Sequence, residues 1–258
     1  MFCGNEVNME LVITLLVGLF TIIGTLLVIL SKNNKKFIDF SICLAFGVMV
    51  TLGILELLPE SYELITEHIN KPYNIIMLLL CIIVGIAILK TLDNFVPDHS
   101  HDHKHDKEHK LNLFHIGVIS SVALILHNII EGITLYSTLV MSLNSGIMMS
   151  LAIGIHNIPL GMVVASTFYK KTNSKIKTIL ISVVISLSTF IGGLMAYICS
   201  GYVMSELFEG ILLGITLGMI IHITCFELLT QIKEIKNKKF SIGVIILGII
   251  VMLISLAI

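Results

Sequence analysis

Long apolar stretches separated by short polar loops run through the whole chain. A bilayer core about 30 Å thick needs about 20 mostly apolar residues for each helix that crosses it. A transmembrane β-barrel needs alternating segments of about ten residues, which do not occur in this sequence. The pattern therefore predicts eight membrane-spanning helices, numbered here in chain order: 11–30, 37–58, 74–92, 117–140, 147–169, 176–199, 210–231 and 242–258.

The first apolar window lacks the basic start and the clear small-residue cleavage site of a signal peptide, so we expect a retained span. Composition agrees with a membrane protein, since the 258 residues are 56% hydrophobic, only 13% are charged and the mean hydropathy is +1.00. A soluble domain has about 25% charged residues. We expect one transmembrane domain over residues 1–258, surrounded by lipid.

Other composition features exclude several classes of partner and site. The formal net charge of -1 offers no basic surface for nucleic acid. Four of the five cysteines lie in apolar runs without zinc-knuckle spacing, so they are expected to be buried hydrophobes and not a disulfide framework.

Lysine placement predicts the orientation in the membrane. Fifteen of the sixteen lysines lie in or beside the loops that follow spans 1, 3, 5 and 7, and Lys71 alone lies on the other side. Cytoplasmic loops are enriched in Lys and Arg. We therefore expect both termini outside the cell, these four loops in the cytoplasm, and insertion in the plasma membrane.

Two pairs of segments resemble each other within the chain. Residues 126–132 (LHNIIEG) and 155–161 (IHNIPLG) match at an offset of 29 positions, in spans 4 and 5. Residues 56–60 (ELLPE) and 227–231 (ELLTQ) match although spans 2 and 7 should run in opposite directions. The second match is typical of an inverted repeat, in which a substrate site lies near the bilayer midplane, but short apolar motifs also match by chance.

Ionisable groups in the middle of spans 4 and 5 predict a metal site. His127 and Glu131 are four residues apart, so they share one helix face near the midplane. His156 is equally central in span 5, and Pro159 leaves the carbonyl of Ile155 without its helical donor. Imidazole and carboxylate suit a divalent transition metal. The alternative is a set of interhelical hydrogen bonds without metal.

The neighbouring polar residues allow two interpretations each. Asn128 and Asn157 either coordinate the metal or join the helices. Glu56, near the predicted outer end of span 2, and Glu227, toward the inner end of span 7, would suit an entrance and an exit carboxylate, with His222 before the exit. Glu56 could instead extend to the interface, and His222 could be a hydrogen-bonded structural residue.

The loop at about 93–112 contains a histidine-rich tract. Such tracts bind metal through composition, without one fixed geometry, and loose cytoplasmic capture of metal is the preferred interpretation. The alternative is a solvated loop without a role. The candidate ligands in this tract are His99, His101, His103 and His105.

These motifs together resemble the ZIP (Zrt/Irt-like) family of divalent metal transporters, and in particular its bacterial GufA-like branch. The resemblance rests on HNIIEG at 127–132, HNIPLG at 156–161, ELLPES at 56–61 and the histidine-rich loop after span 3. It implies a bundle in which spans 1–3 and 6–8 are inverted repeats around spans 4 and 5. It also implies a homodimer and inward movement of metal by an elevator-like or alternating-access motion.

Two positions depart from the family pattern. Leu160 stands where many relatives have a span-5 glutamate, and Thr189 is the nearest residue to an expected span-6 glutamate. A second metal site is therefore expected to be lost, leaving one site with about one anionic ligand.

The function predicted from the sequence is import of a divalent transition metal into the cytoplasm. Zinc is preferred on the resemblance, ahead of iron, manganese, cobalt or cadmium. The metal is the cargo, and no prosthetic group is expected. One alternative is a metal sensor or degenerate carrier that does not transport. Another is an intramembrane metalloenzyme, for which the sequence offers no H-E-x-x-H motif.

Overall fold

The computed structural model describes residues 8–31, 34–95, 113–172, 174–199 and 205–257, and every regular element in these ranges is a helix. The histidine-rich tract with His99, His101, His103 and His105 lies outside the described residues. The helices are α1 Met9–Gly18, α2 Phe20–Leu30, α3 Lys35–Leu52, α4 Leu58–His68, α5 Tyr73–Phe95, α6 Leu113–Met141, α7 Leu143–Thr172, α8 Lys175–Ile198, α9 Glu206–His222, α10 Leu229–Glu234 and α11 Lys238–Leu256.

Eight candidate membrane spans are formed by these helices in the described ranges, which confirms the predicted number. Span 1 comprises α1 and α2, spans 3 to 6 are α5 to α8, and span 8 is α11. Spans 2 and 7 each consist of two α-helices joined by a π-helical turn, Gly53–Leu57 between α3 and α4, and Ile223–Leu228 between α9 and α10.

Span 2 is longer than the sequence predicts, because it continues from Lys35 to His68 and not only to residue 58. The additional turns carry glutamates, which a hydropathy window reads as a loop. One face of them is nevertheless buried, and Ser61 Oγ on that face donates a hydrogen bond of 2.7 Å to the carbonyl of Gly210 at the start of span 7. Glu56 consequently lies inside the span and not near its end.

The two π turns match in sequence position as well as in geometry. The amide of Leu58 donates to the carbonyl of Gly53, and the amide of Leu229 donates to that of Thr224. Both bonds link residues five apart, as in a π-helix, and such turns often occur at functional sites. Each turn contains the glutamate of one ELL motif, Glu56 or Glu227.

Glycines allow the helices to approach until backbone meets backbone. A Cβ placed on Gly192 of span 6 would lie 2.0 Å from the carbonyl oxygen of Ile129 in span 4, and one on Gly24 of span 1 would lie 2.1 Å from that of Ile158 in span 5. Ile129 and Ile158 occupy the same position in the two HNI motifs. Spans 4 and 5 are therefore held by equivalent contacts to spans 6 and 1.

Spans 2 and 7 run in opposite directions, as predicted. His68 at the end of span 2 lies near Glu206 at the start of span 7, while a cavity at the opposite end is lined by residues from the start of span 2 and the end of span 7, including Lys35 and Glu234. These relations agree with an inverted repeat, and the repeat itself stays a prediction.

Burial is unequal among the spans. Spans 2, 5 and 7 are the most buried, whereas spans 3 and 8 are the least. Large apolar side chains such as Leu79, Leu80 and Ile83 of span 3 are exposed on the outside of the bundle. An apolar surface of this kind requires a surrounding bilayer, so the interior of the bundle is where polar groups must find partners.

Candidate metal centre

The centre is built by spans 4 and 5, which carry the two HN motifs. In α6, His127 and Glu131 are separated by four residues and therefore face the same side of the helix. The close backbone contacts made by Gly192 and Gly24 fix both helices at this level of the bundle. His156 of α7 is thereby positioned against the face that carries His127 and Glu131.

One carboxylate oxygen lies between two imidazole rings. Glu131 Oε1 is 2.9 Å from His127 Nε2 and 2.7 Å from His156 Nε2. The ring centroids of the two histidines are 6.4 Å apart. The side chains of His127, His156 and Glu131 are 2%, 1% and 9% exposed. We call these three residues the central triad.

The central triad fits the donor set of a divalent transition metal. One ligand atom from each residue lies within 4.8 Å of the others. Glu131 Oε2 and His156 Nδ1 are buried without a hydrogen-bond partner among the described residues, so the site retains unused polar atoms. Buried polar atoms are costly when they remain unpaired, and two neutral imidazoles with one carboxylate provide three ligands for such a cation.

A backbone oxygen adds a further potential ligand beside His156. Pro159 lies inside α7, and because proline has no amide hydrogen, the carbonyl of Ile155 loses its usual helical donor. An oxygen of this kind within the membrane interior must be satisfied by another group.

Glu56 lies close enough to the central triad to interact electrostatically with His156, Glu131 and His127. This half-buried carboxylate comes from the π turn of span 2, so a third span supplies charge to the site. Beyond it, Glu60 interacts electrostatically with Glu56 and with Glu209 of span 7. A series of carboxylates thus leads from the centre toward the end of span 2.

The asparagines of the two HN motifs differ in their contacts. The amide nitrogen of Asn128 donates a hydrogen bond of 3.1 Å to the carbonyl of Ile185 in span 6, so Asn128 joins two helices. Its Oδ1 atom, and both side-chain polar atoms of Asn157, have no hydrogen-bond partner among the described residues. Because a metal would bind the amide oxygen, both asparagines remain candidate ligands, and the amide nitrogen of Asn128 in addition joins two helices.

His222 and Glu227 are buried in span 7, with 7% and 6% of their surface exposed. The ring of His222 contacts that of Phe226, with centroids 5.1 Å apart. Neither residue belongs to the groups of three or more potential metal-binding side chains that converge within the described ranges. Their role along a metal path remains a prediction.

Comparison with known proteins decides the family. The model of the ZIP zinc transporter family matches residues 7–110 and 96–256 of this chain. The zinc transporter ZupT of Chlorobium chlorochromatii is 29% identical, over 95% of each chain, and ZupT of Clostridium perfringens is 28% identical, over 98% of this chain and 96% of that protein. ZupT of Chlorobium phaeovibrioides is 30% identical over 98% of both chains. The chain belongs to the ZIP family.

Within this ZIP protein, the two departures from the family pattern have clear structural positions. Leu160 is 2% exposed and packs in the main apolar core. Thr189 is fully buried, and its carbonyl oxygen would lie 2.0 Å from a Cβ on Gly132, next to Glu131. The hydroxyl of Thr189 has no hydrogen-bond partner among the described residues. Neither position supplies a negatively charged ligand.

Two features of this ZIP centre were not predicted from the sequence. The sequence predicts Glu56 near the end of its span, because a hydropathy window ends at the following glutamates, whereas the span continues to His68. Thr134, one turn from Glu131 on span 4, donates a hydrogen bond of 2.6 Å to Glu209. A threonine in an apolar helix does not indicate a distant acidic partner. The sequence match between the segments at Glu56 and Glu227 could have indicated that both glutamates lie inside their spans.

Proposed function

We propose that this ZIP family protein imports zinc into the cytoplasm through the central triad. The observation that carries the proposal is the buried Glu131 Oε1 atom within 2.9 Å of two imidazole Nε2 atoms from two different spans. The relatives reported above are named zinc transporters, which supports zinc as the cargo and a transporter over an enzyme.

The proposed topology places residues 1–258 in one plasma membrane domain with both termini outside. The lysine-rich loops then lie in the cytoplasm, together with the histidine-rich tract after span 3. The inside-negative potential favours entry of a divalent cation by about 4.6 kcal/mol per 100 mV, since each charge contributes about 2.3 kcal/mol.

Metal would reach the centre past carboxylates and lose water stepwise. Glu60 and Glu56 would offer carboxyl oxygen ligands on the approach. At the centre, His127, Glu131 and His156 replace the remaining water, and the carboxylate offsets part of the charge of the metal. His222 and Glu227 would receive the metal on the cytoplasmic side of the path.

Retention of only one carboxylate in the central triad has a consequence for release. A carrier must give up its cargo, and a site with one anionic ligand holds a divalent cation less tightly than one with several. Protons compete with metal for imidazole nitrogens, so uptake is expected to decrease when the external medium is acidified.

The test is zinc entry into liposomes that contain a zinc-sensitive dye, under an inside-negative potential. Wild type should give saturable entry, and Glu131→Ala should remove it, because the remaining imidazoles carry no negative charge. Glu234→Ala removes an exposed carboxylate at the end of span 7 and serves as the matched control, which should import zinc at the wild-type rate.

A wild-type protein that binds zinc but shows entry no faster than empty liposomes would contradict transport and favour a sensor or degenerate carrier. Competition by iron, manganese, cobalt and cadmium then ranks the cargo. A homodimer is also proposed from family membership, and its check is the mass of the protein in a detergent micelle.

A further inference from the structure

A second group of metal-binding side chains lies at the lysine-poor end of the bundle, away from the central triad. Glu67 and His68 end α4, and Glu206 begins α9. One ligand atom from each lies within 4.8 Å of the others, and all three residues are exposed. We call these residues the exposed cluster.

The histidine of the exposed cluster is oriented as metal-binding histidines usually are. His68 Nδ1 lies 3.1 Å from the carbonyl oxygen of Leu64. A carbonyl can only accept, so in the neutral ring Nδ1 carries the proton and Nε2 keeps its lone pair. This arrangement, in which the other ring nitrogen donates to a backbone carbonyl, fixes the tautomer in many metal sites.

The free nitrogen faces the acidic side of the cluster. His68 Nε2 lies 3.9 Å from Glu206 Oε2, which is too long for a hydrogen bond but short enough to be spanned by two zinc–ligand bonds of about 2.0–2.2 Å. The contact joins span 2 to span 7, because the two residues belong to different helices. The three side chains are exposed, so rotation about their bonds would let the three atoms bind one ion.

The exposed cluster also stands at the start of the carboxylate series described above. Glu63 lies one turn before Glu67 on α4, and Glu60 interacts electrostatically with Glu63, Glu209, Glu56 and Glu131. Carboxyl groups therefore follow one another from the exposed cluster toward the central triad, and each offers oxygen ligands to a divalent cation.

We propose that Glu67, His68 and Glu206 bind a divalent transition metal and deliver it to the carboxylate path. The choice of a transition metal as the ligand rests on the proposed function. An imidazole donor favours zinc over calcium or magnesium, which bind through oxygen. The exposed position makes exchange with solvent rapid, so the cluster concentrates cargo without retaining it.

The test follows the reactivity of a single atom in the full-length protein. Diethyl pyrocarbonate modifies unprotonated imidazole, and mass spectrometry of the peptide that contains His68 reports its rate. Zinc should slow modification of His68, while calcium at the same concentration should leave it unchanged. In Glu67→Gln/Glu206→Gln the protection should require about tenfold more zinc, the ratio equivalent to about 1.4 kcal/mol.

Glu234→Gln is the control, since it removes an exposed carboxylate at the opposite end of the bundle, outside both the exposed cluster and the carboxylate series. It should leave the protection of His68 at its wild-type zinc concentration. In liposomes, Glu67→Gln/Glu206→Gln should raise the half-saturating zinc concentration several-fold with an unchanged maximal rate.

Failure of this proposal and failure of transport give different results. If zinc does not protect His68 at concentrations that saturate uptake, the exposed cluster is not a metal site although transport stands. If His68 is protected and no zinc enters, transport is wrong although the metal site stands. Protection should also persist in Glu131→Ala, because the two sites use different residues, and its loss there would overturn the separate site.

Discussion

The central triad and the exposed cluster contain the same donor types in two different environments. Side chains of the triad are at most 9% exposed, whereas those of His68 and Glu206 are 37% and 62% exposed. The buried group has two histidines and one glutamate, and the exposed group has the reverse. In the membrane interior each additional carboxylate must be desolvated, whereas water offsets that cost at the end of a span. In this chain the buried group therefore carries fewer carboxylates than the exposed one, in the direction that the cost of desolvation favours.

The same substitution in both groups gives the largest expected contrast. His156→Gln removes an imidazole from a site that water does not reach, and it should lower zinc uptake at limiting zinc by at least about 100-fold, or about 2.7 kcal/mol. His68→Gln should lower it by less than about tenfold, because water replaces an exposed ligand. Initial rates in the dye-loaded liposomes measure both. Equal effects would remove the distinction between the two environments.

The next effect concerns the packing that gives the central triad its geometry. Gly192→Ala places a methyl group 2.0 Å from a backbone carbonyl oxygen of span 4, so the helices must separate, at a cost of about 1–3 kcal/mol. We expect a lower apparent melting temperature in detergent and slower uptake. Gly243→Ala is the control, because no atom of a neighbouring helix in the described ranges lies within 4 Å of its added Cβ. An unchanged melting temperature in Gly192→Ala would contradict close packing at this level.

Leu160→Glu tests whether the central triad can use a second carboxylate, since the exposed cluster has two. Position 160 is four residues after His156 on the same helix face, so a carboxylate there should tighten zinc binding about tenfold and slow release. Zinc titration by calorimetry and maximal uptake rates check the two parts. Leu160→Gln separates the effect of charge from that of polarity. If only Leu160→Glu transports, the natural protein is not a working carrier.

Added salt should produce the smallest change in zinc uptake, and it should act only through the exposed cluster. Raising the ionic strength on both sides of the liposome from about 0.1 M to about 1 M shortens the Debye length from about 10 Å to about 3 Å. The half-saturating zinc concentration should rise about twofold to threefold in wild type. Glu67→Gln/Glu206→Gln should respond less, since the screened charges are already absent. A fall in the maximal rate would instead place the screened step at the centre.

Sequence reasoning predicted those parts of the molecule that depend on short-range pattern. Eight spans follow from apolar length, and His127 with Glu131 follows from helical spacing. The repeated motif predicts that His156 joins His127 and Glu131 in one metal site. The structure places the three side chains together, and their binding of metal stays a prediction.

Parts that depend on contacts between distant residues were not predicted. Glu206 is far from His68 in sequence, so only the folded chain shows that their side chains meet. The depth of Glu56 was misjudged because hydropathy cannot distinguish a polar loop from a helix whose polar face is covered by a neighbour. The π turns are defined by hydrogen bonds between residues five apart, and the amino-acid sequence gives little indication of where such bonds replace α-helical ones.

The π turns also determine how the chain can tolerate changes in length. A π turn accommodates one residue more than the α-helical path between the same two flanking helices. Deleting one residue within Gly53–Leu57 can therefore be absorbed by closing the turn to α geometry, which leaves Leu58–His68 in place and turns the carboxylate of Glu56 to a new direction. A deletion within Leu58–His68 lies in a regular α-helix without an extra residue to lose. It would therefore rotate the residues beyond it by about 100° about the helix axis.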